Sequence, residues 1–159
     1  MREVYWVEEG VLGGRCGPEC APWDVADLHA GGVRAVVSLD RFGVEPEALQ
    51  AVDIAHLPLY RPMILLDTEF DRRRFLEVVP PILDFIGQME QAGRGVLVHC
   101  YYGRDRTGCV LACCLVARRG LSAEMAIAHI RGLQPEALTA PGYAEAVELF
   151  DRIHLGGRT

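Results

Sequence analysis

Apolar positions along the chain follow two rhythms. Short continuous runs, rich in β-branched residues, cover 33–39, 54–59 and 95–99, and read as buried strands. Residues 4–7 and 11–12 are shorter apolar pieces separated by Glu8-Glu9-Gly10, and read as edge strands. Helical spacing marks 68–91, where Phe70, Phe75, Val78, Val79, Ile82, Phe85, Ile86 and Met89 share a face. Pro80-Pro81 stands in the middle of that run and must kink or split it. Residues 107–119 are strongly apolar with helical spacing, and Gly120 stops them. Ser122 is placed to cap a helix running to about 131, and a last helix covers about 142–153. Short helices are expected over 22–30, ended by Gly31-Gly32, and over 45–50.

Strands and helices thus alternate, with crossovers long enough for parallel pairing. The pattern predicts a single α/β domain over 1–159: a central, mostly parallel sheet with helices on both faces. Ligands of such sheets bind at the carboxyl ends of the strands. The segment from Val98 to Thr107 is one such end, and it opens directly into a helix.

Composition narrows the chemistry. The 159 residues carry a net charge of −6. An acidic chain is a poor non-specific binder of nucleic acid or anionic membrane, so an anionic substrate must be caught by a local cluster of cations. All 16 basic residues are arginine. The side chains therefore offer no amine nucleophile, and every cationic contact is a planar guanidinium fork. No apolar run is long enough to span a membrane. The opening residues lack the apolar core of a secretion signal, so a cytoplasmic protein with reduced thiols is expected. Of the six cysteines, Cys109, Cys113 and Cys114 fall at helical spacing in an apolar run and read as small buried residues. Cys16 and Cys20 have no second Cys/His pair at a zinc-finger distance, and a structural metal is not expected there.

The segment His99-Cys100-Tyr101-Tyr102-Gly103-Arg104-Asp105-Arg106-Thr107-Gly108 carries the candidate chemistry. A tight loop between a strand end and a helix N-terminus can aim backbone N–H groups at a doubly charged oxyanion, with the helix dipole added. Gly103 permits the turn, and Arg106 can offer parallel donors to phosphate oxygens. The same field favours a thiolate at Cys100, which would then be a nucleophile without a dedicated base. Thr107 is placed to hydrogen-bond that sulfur. His99 is expected to brace the loop, and Tyr101 and Tyr102 to shape its mouth.

The loop resembles the Cys-x5-Arg signature of the protein tyrosine phosphatase superfamily, and the chain is most similar to the small atypical dual-specificity phosphatases. Trp6-Val7 through Leu12-Gly13-Gly14 resembles their entry hairpin. Gly32-Val33-Arg34-Ala35-Val36-Val37-Ser38-Leu39 resembles their first core strand, and His56-Leu57-Pro58-Leu59 the segment before their acid loop. Arg131-Gly132-Leu133-Gln134-Pro135 resembles their late Arg-x-x-Arg-Pro turn, with Gln134 in place of the second arginine. The resemblance implies two-step hydrolysis of a phosphate monoester through a cysteinyl-phosphate, with neither metal nor cofactor. The implied substrate is a phosphorylated protein or peptide.

Two departures matter. The family's acid position holds Tyr60-Arg61-Pro62, and the next aspartate is Asp67, which is either the general acid or a cap for the helix starting near Thr68. Asp105 sits beside the phosphate-binding arginine. Gly103-Arg104-Asp105-Arg106-Thr107-Gly108 resembles the loop of some bacterial tyrosine and phosphoinositide phosphatases, and of myotubularin-type lipid phosphatases. Asp105 either takes an acid role or orients Arg106 or nearby backbone. A phosphoinositide substrate and a catalytically weak phosphate-binding module are the rival readings. Asp71-Arg72-Arg73-Arg74 reads either as a patch for anionic head groups or as a solvated helix face.

Overall fold

Gly95–His99 is buried at every position, and a strand apolar on both sides belongs in the middle of a sheet covered on both faces. The computed structural model describes residues 3–156 and places it there; Met1 and Arg2 of the opening segment lie outside the described residues. The strands are β1 (Tyr5–Glu8), β2 (Leu12–Arg15), β3 (Val33–Ser38), β4 (Ala55–Pro58) and β5 (Gly95–His99). Their order in the sheet is β1-β2-β5-β3-β4. Only the hairpin β1–β2 is antiparallel; β2–β5, β5–β3 and β3–β4 are parallel. The mostly parallel sheet predicted from the alternation is therefore the one found.

Side chains along β5 alternate between two cores. Val96 and Val98 point into the larger one, and Leu97 into the smaller, as the two-residue period of a strand requires. The smaller core lies under α1 (Val25–Ala30) and α2 (Pro46–Ala51), through Leu28 and Leu49. The larger lies under α3 (Glu69–Leu76), α4 (Val79–Gln91), α5 (Arg106–Arg119), α6 (Ala123–Leu133) and α7 (Tyr143–Gly156). Helix α5 is buried without interruption from Arg106 to Val116, as expected of a helix that is apolar all round. Cys109, Cys113 and Cys114 are fully buried there, and burial pushes the Cys114 thiol up to about 12. Gly120 closes the helix in the left-handed conformation, φ 70°.

The long run over 68–91 is split, and the break falls before the prolines. α3 ends at Leu76 and α4 begins at Val79, so Pro80 and Pro81 occupy the first turn of α4. Backbone N–H groups there lack an intrahelical partner, and proline loses nothing. Thr68 caps α3 and forms a capping box with Asp71. That assigns the cap to Thr68, so Asp67 is not the cap residue. The run 71–74 is engaged locally: Arg72 donates to the Leu66 carbonyl at 2.7 Å, Arg73 pairs with Glu69, and Arg74 lies over the Phe70 ring. Among the described residues no helix is long and apolar enough to cross a membrane.

The far end of α5 is pinned to the edge hairpin. Glu8 is buried, yet its carboxylate accepts from Arg118 at 3.0 Å and from Arg119 at 3.0 Å. Burial opposes its ionisation, but the two guanidinium groups outweigh burial and hold the carboxyl below the usual glutamate range. A depressed folded value means stability that is present above the unfolded value, about 4.3, and lost as pH falls through the folded one. We expect Glu8→Gln to cost about 1–3 kcal/mol at pH 7. The gap between variant and parent should close as pH drops below about 4. Urea titrations at both pH values measure it.

Candidate active site

The loop from Cys100 to Asp105 joins the end of β5 to the start of α5, and it is held from three sides. The first support is the backbone after β2. Gly103 has φ +71°, and a Cβ there would stand 2.5 Å from the Arg15 carbonyl carbon and 2.5 Å from the Cys16 nitrogen. Only glycine satisfies both the conformation and the approach. Gly17 donates its N–H to the Tyr101 carbonyl at 2.9 Å, and Tyr5 donates its hydroxyl to the Gly103 carbonyl at 2.7 Å. Arg15, 1% exposed, holds the next turn by donating to the carbonyls of Cys16, Ala21 and Pro22 at 2.8, 3.0 and 3.3 Å. Folded this way, the loop aims the Gly103 N–H at the Cys100 Sγ, 3.2 Å away.

The second support is a buried polar chain. His99 Nδ1 lies 3.0 Å from the Cys100 carbonyl, His99 Nε2 lies 2.7 Å from Ser38 Oγ, and Ser38 Oγ lies 2.8 Å from His56 Nε2. Burial lowers the His99 pKa to about 4, so the ring is neutral near pH 7 and one nitrogen must accept. A carbonyl only accepts, so Nδ1 carries the proton toward Cys100. Ser38 then donates to Nε2, and His56 donates to Ser38. His99 thus bonds the loop at the Cys100 carbonyl, and Ser38 and His56 are partners that the sequence did not single out.

The third support is residues 137–142. Asp105 Oδ1 accepts from the N–H groups of Thr139 and Ala140 at 2.9 and 3.1 Å. Arg131 grips the same stretch through the carbonyls of Ala137 and Leu138, at 3.2 and 2.7 Å. This gives the arginine of the late turn a structural task, and Gln134 instead bonds the Glu136 N–H. Asp105 therefore ties the loop to backbone. It does not orient Arg106, because Asp40 and Arg61 do. Arg106 Nη1 donates to Asp40 Oδ1 at 3.4 Å and to the Arg61 carbonyl at 2.9 Å. Both contacts use Nη1, leaving Nε and Nη2 as the fork for an anion. Asp40 follows β3 directly and carried no motif that would have revealed it.

Above the sulfur lies a cleft of about 230 Å³, lined by Met63, Ile64 and Leu65 on one side and by Cys100, Tyr102, Asp105, Arg106, Ala140 and Tyr143 on the other. The strap over 61–66 is fixed at several points. Arg61 N–H donates to the Leu39 carbonyl at 2.9 Å, Tyr143 O–H to the Ile64 carbonyl at 2.7 Å, and Leu66 N–H to the Pro141 carbonyl at 3.2 Å. The site residues named from sequence separate accordingly. Cys100, Tyr102, Asp105 and Arg106 meet in the cleft. Tyr101 packs edge-on against Tyr102, and Arg104 lies over the Tyr102 ring while pairing with Glu136 at 2.7 Å. Asp67 is exposed, just past the strap and outside the cleft lining. The expected bond from Thr107 to the sulfur is absent. Its buried hydroxyl has no hydrogen-bond partner among the described residues, and the sulfur's donor is the backbone of Gly103.

A cysteine at a strand's carboxyl end, a glycine N–H aimed at its sulfur and a restrained arginine opening the next helix are thus brought together in one loop, the arrangement that the Cys-x5-Arg resemblance implies. Comparison with known proteins agrees. Residues 52–152 match the family "Dual specificity phosphatase, catalytic domain", and the chain belongs to that family. It is 27% identical over 135 residues to protein tyrosine phosphatase domain-containing protein 1 of Danio rerio, covering 79% of this chain and 19% of that protein. It is 31% identical over 71 residues to phosphatidylglycerophosphate phosphatase PTPMT2 of Arabidopsis thaliana, covering 45% of this chain and 31% of that protein. The chain thus spans only part of the length of the curated relatives it matches. Its fold is shared with PTPMT1 in complex with PI(5)P, at a TM-score of 0.80 and 15% identity, covering 98% of this chain and 99% of that one.

The contacts of Arg106 predict a measurable role for Asp40. Asp40→Ala frees Nη1 and should weaken competitive inhibition by inorganic phosphate about tenfold, the effect of losing roughly 1.4 kcal/mol. Asp40→Asn keeps an acceptor and should recover part of that loss. Tighter phosphate binding in both variants would mean that Asp40 acts only as a repelling charge.

Proposed function

We propose that this protein hydrolyses phosphate monoesters through a covalent phosphate on Cys100, and that phosphotyrosine in a protein or peptide is its preferred substrate. The observation that carries this reading is the Cys100 sulfur at the foot of an apolar-walled cleft, with the Gly103 N–H on it and the Arg106 guanidinium in the wall. The walls of Met63, Ile64, Leu65, Tyr102 and Tyr143 suit an aromatic ring.

In the first step the Cys100 thiolate attacks phosphorus in line with the departing aryl oxygen. Arg106 Nε and Nη2, together with loop N–H groups, take up the charge on the equatorial oxygens. In the second step water attacks phosphorus and the sulfur leaves. The unpaired Thr107 hydroxyl is buried in the first turn of α5, and we assign it to the departing sulfur. The leaving oxygen needs a proton. Asp67 is the donor that the family resemblance favours, and it reaches the leaving oxygen only if the strap shifts. Asp105 is the carboxyl that already lines the cleft, and both of its bonds are made by Oδ1. We assign proton donation to Asp105 in the conformation described.

A second reading has its own support. Met63, Ile64 and Leu65 are about half exposed at the mouth, and such a rim could receive the apolar part of a phosphorylated lipid. PTPMT2 acts on phosphatidylglycerophosphate by name.

Cys100→Ser should abolish hydrolysis of an aryl phosphate while leaving the fold intact; surviving turnover rejects the mechanism. Asp105→Asn should lower kcat by about 10²–10⁴-fold for phosphotyrosine, and less for substrates with very acidic leaving groups. If Asp67→Asn gives that leaving-group pattern instead, the strap closes during turnover and Asp67 is the acid. Phosphotyrosine peptides should outpace phosphoserine peptides. A phosphoinositide hydrolysed faster than every peptide would favour the lipid reading.

A further inference from the structure

Two thiols outside the catalytic machinery sit in the turn that supports the loop. Cys16 and Cys20 are spaced i, i+4, and the backbone between them makes one helical turn: the N–H groups of Cys20 and Ala21 both donate to the Gly17 carbonyl at 3.1 Å. Cys16 stands immediately before that turn, and its thiol is a hydrogen-bonding neighbour of the Cys20 thiol. Burial, and then hydrogen bonding with Cys20, push the Cys16 thiol up to about 11. Cys16 is half-buried and Cys20 is exposed, and neither is in a disulfide. Among the described residues neither belongs to a group of three or more that could hold a metal. Arg15 pins both ends of the turn through the carbonyls of Cys16 and Ala21, so the pair is presented in a fixed arrangement.

The turn is also the seat of the phosphate loop. A Cβ on Gly17 would stand 2.6 Å from the Cys100 carbonyl oxygen, and one on Gly103 would stand 2.5 Å from the Cys16 nitrogen. At such contacts there is no slack. A displacement of Cys16-Gly17 must be passed to Cys100 and Gly103, because packed backbone has nowhere else to yield.

We propose that Cys16 and Cys20 form a reversible disulfide, a redox clip that weakens phosphate binding by drawing the 16–17 backbone away from the loop. The chemistry needs a peroxide. The exposed Cys20 sulfur attacks the O–O bond of hydrogen peroxide and becomes a sulfenic acid, releasing water. The Cys16 sulfur then attacks that sulfur; the S–S bond forms, the S–O bond breaks, and hydroxide leaves with the Cys16 proton as a second water. Two thiols lose two electrons and two protons, and one peroxide is reduced to two waters. A dithiol reverses the reaction by exchange. Joining the sulfurs shortens their separation to about 2.05 Å, and the pull falls on Cys16, whose nitrogen abuts Gly103. The effect on phosphate binding rests on the loop being the phosphate site; formation of the disulfide does not.

The test treats the full chain with hydrogen peroxide while inorganic phosphate shields Cys100, followed by alkylation and peptide mass analysis. The expected product is an intramolecular Cys16–Cys20 disulfide removed by dithiothreitol. Both cysteines recovered as alkylated thiols, or a dimer linked through Cys20, would overturn the proposal. After the oxidant is removed, inorganic phosphate binding is compared by titration calorimetry between oxidised and reduced protein. Affinity should fall several-fold on oxidation and return on reduction, and Cys20→Ser should bind phosphate like the reduced parent whether or not it meets peroxide. A disulfide that forms with no change in affinity overturns the clip. Absence of phosphate binding in the reduced protein would instead reject the phosphatase reading.

Discussion

The close approach of Gly103 to the backbone of Arg15 and Cys16 is the constraint on which the site depends. It folds the loop back over the end of β2, and that fold turns the Gly103 N–H toward the Cys100 sulfur. The approach exists because β2 and β5 are parallel neighbours in register, with Arg15 opposite His99. Both strands therefore end at the same level, and the segments leaving them must pack. Tyr5 from β1 and Gly17 from the following turn complete the seat. The edge hairpin is thus a structural part of the seat of the Cys100-to-Asp105 loop.

Acidic residues around the loop are used as tethers. Asp40 and the Arg61 carbonyl restrain one nitrogen of Arg106, which lowers the entropy its side chain would lose on engaging any further partner. Asp105 spends one oxygen on two backbone N–H groups of 139–140. That stretch also meets the strap through Pro141 and Leu66. Loop, strap and 137–142 segment form one connected wall, so the shape of the cleft is set by contacts among three parts of the chain far apart in sequence.

The order of strands and helices was legible in the sequence, because period-2 and period-3.6 apolar patterns report burial directly. Gly95–His99 and the helix that follows were readable for that reason, and so was the Cys100-to-Arg106 loop. Its signature is local, a strand, a turn and a helix start in consecutive residues, while its shape is set by distant backbone. The split at 76–79 was readable only in kind, since prolines disrupt a helix interior but fit a first turn, and sequence does not say which register wins.

What the tertiary structure alone decided is which distant groups meet those local ones. Ser38 lies on β3, His56 on β4 and Asp40 in the loop after β3, and nothing in their spacing connects them to Arg106 or His99. Strand order brings them there. Asp67 is the first aspartate after the family's acid position, yet the strap's bonds to Leu39, Pro141 and Tyr143 leave it outside the cleft lining, while of the alternatives open for Asp105 in the sequence, packing selects the bond to backbone, at 139–140. The chain by itself determined the elements and the place of the Cys100-to-Arg106 loop, because these are patterns in consecutive residues. Pairing between segments was fixed by packing, because a side chain's partner depends on where other strands and helices come to rest, and that is a property of the whole core.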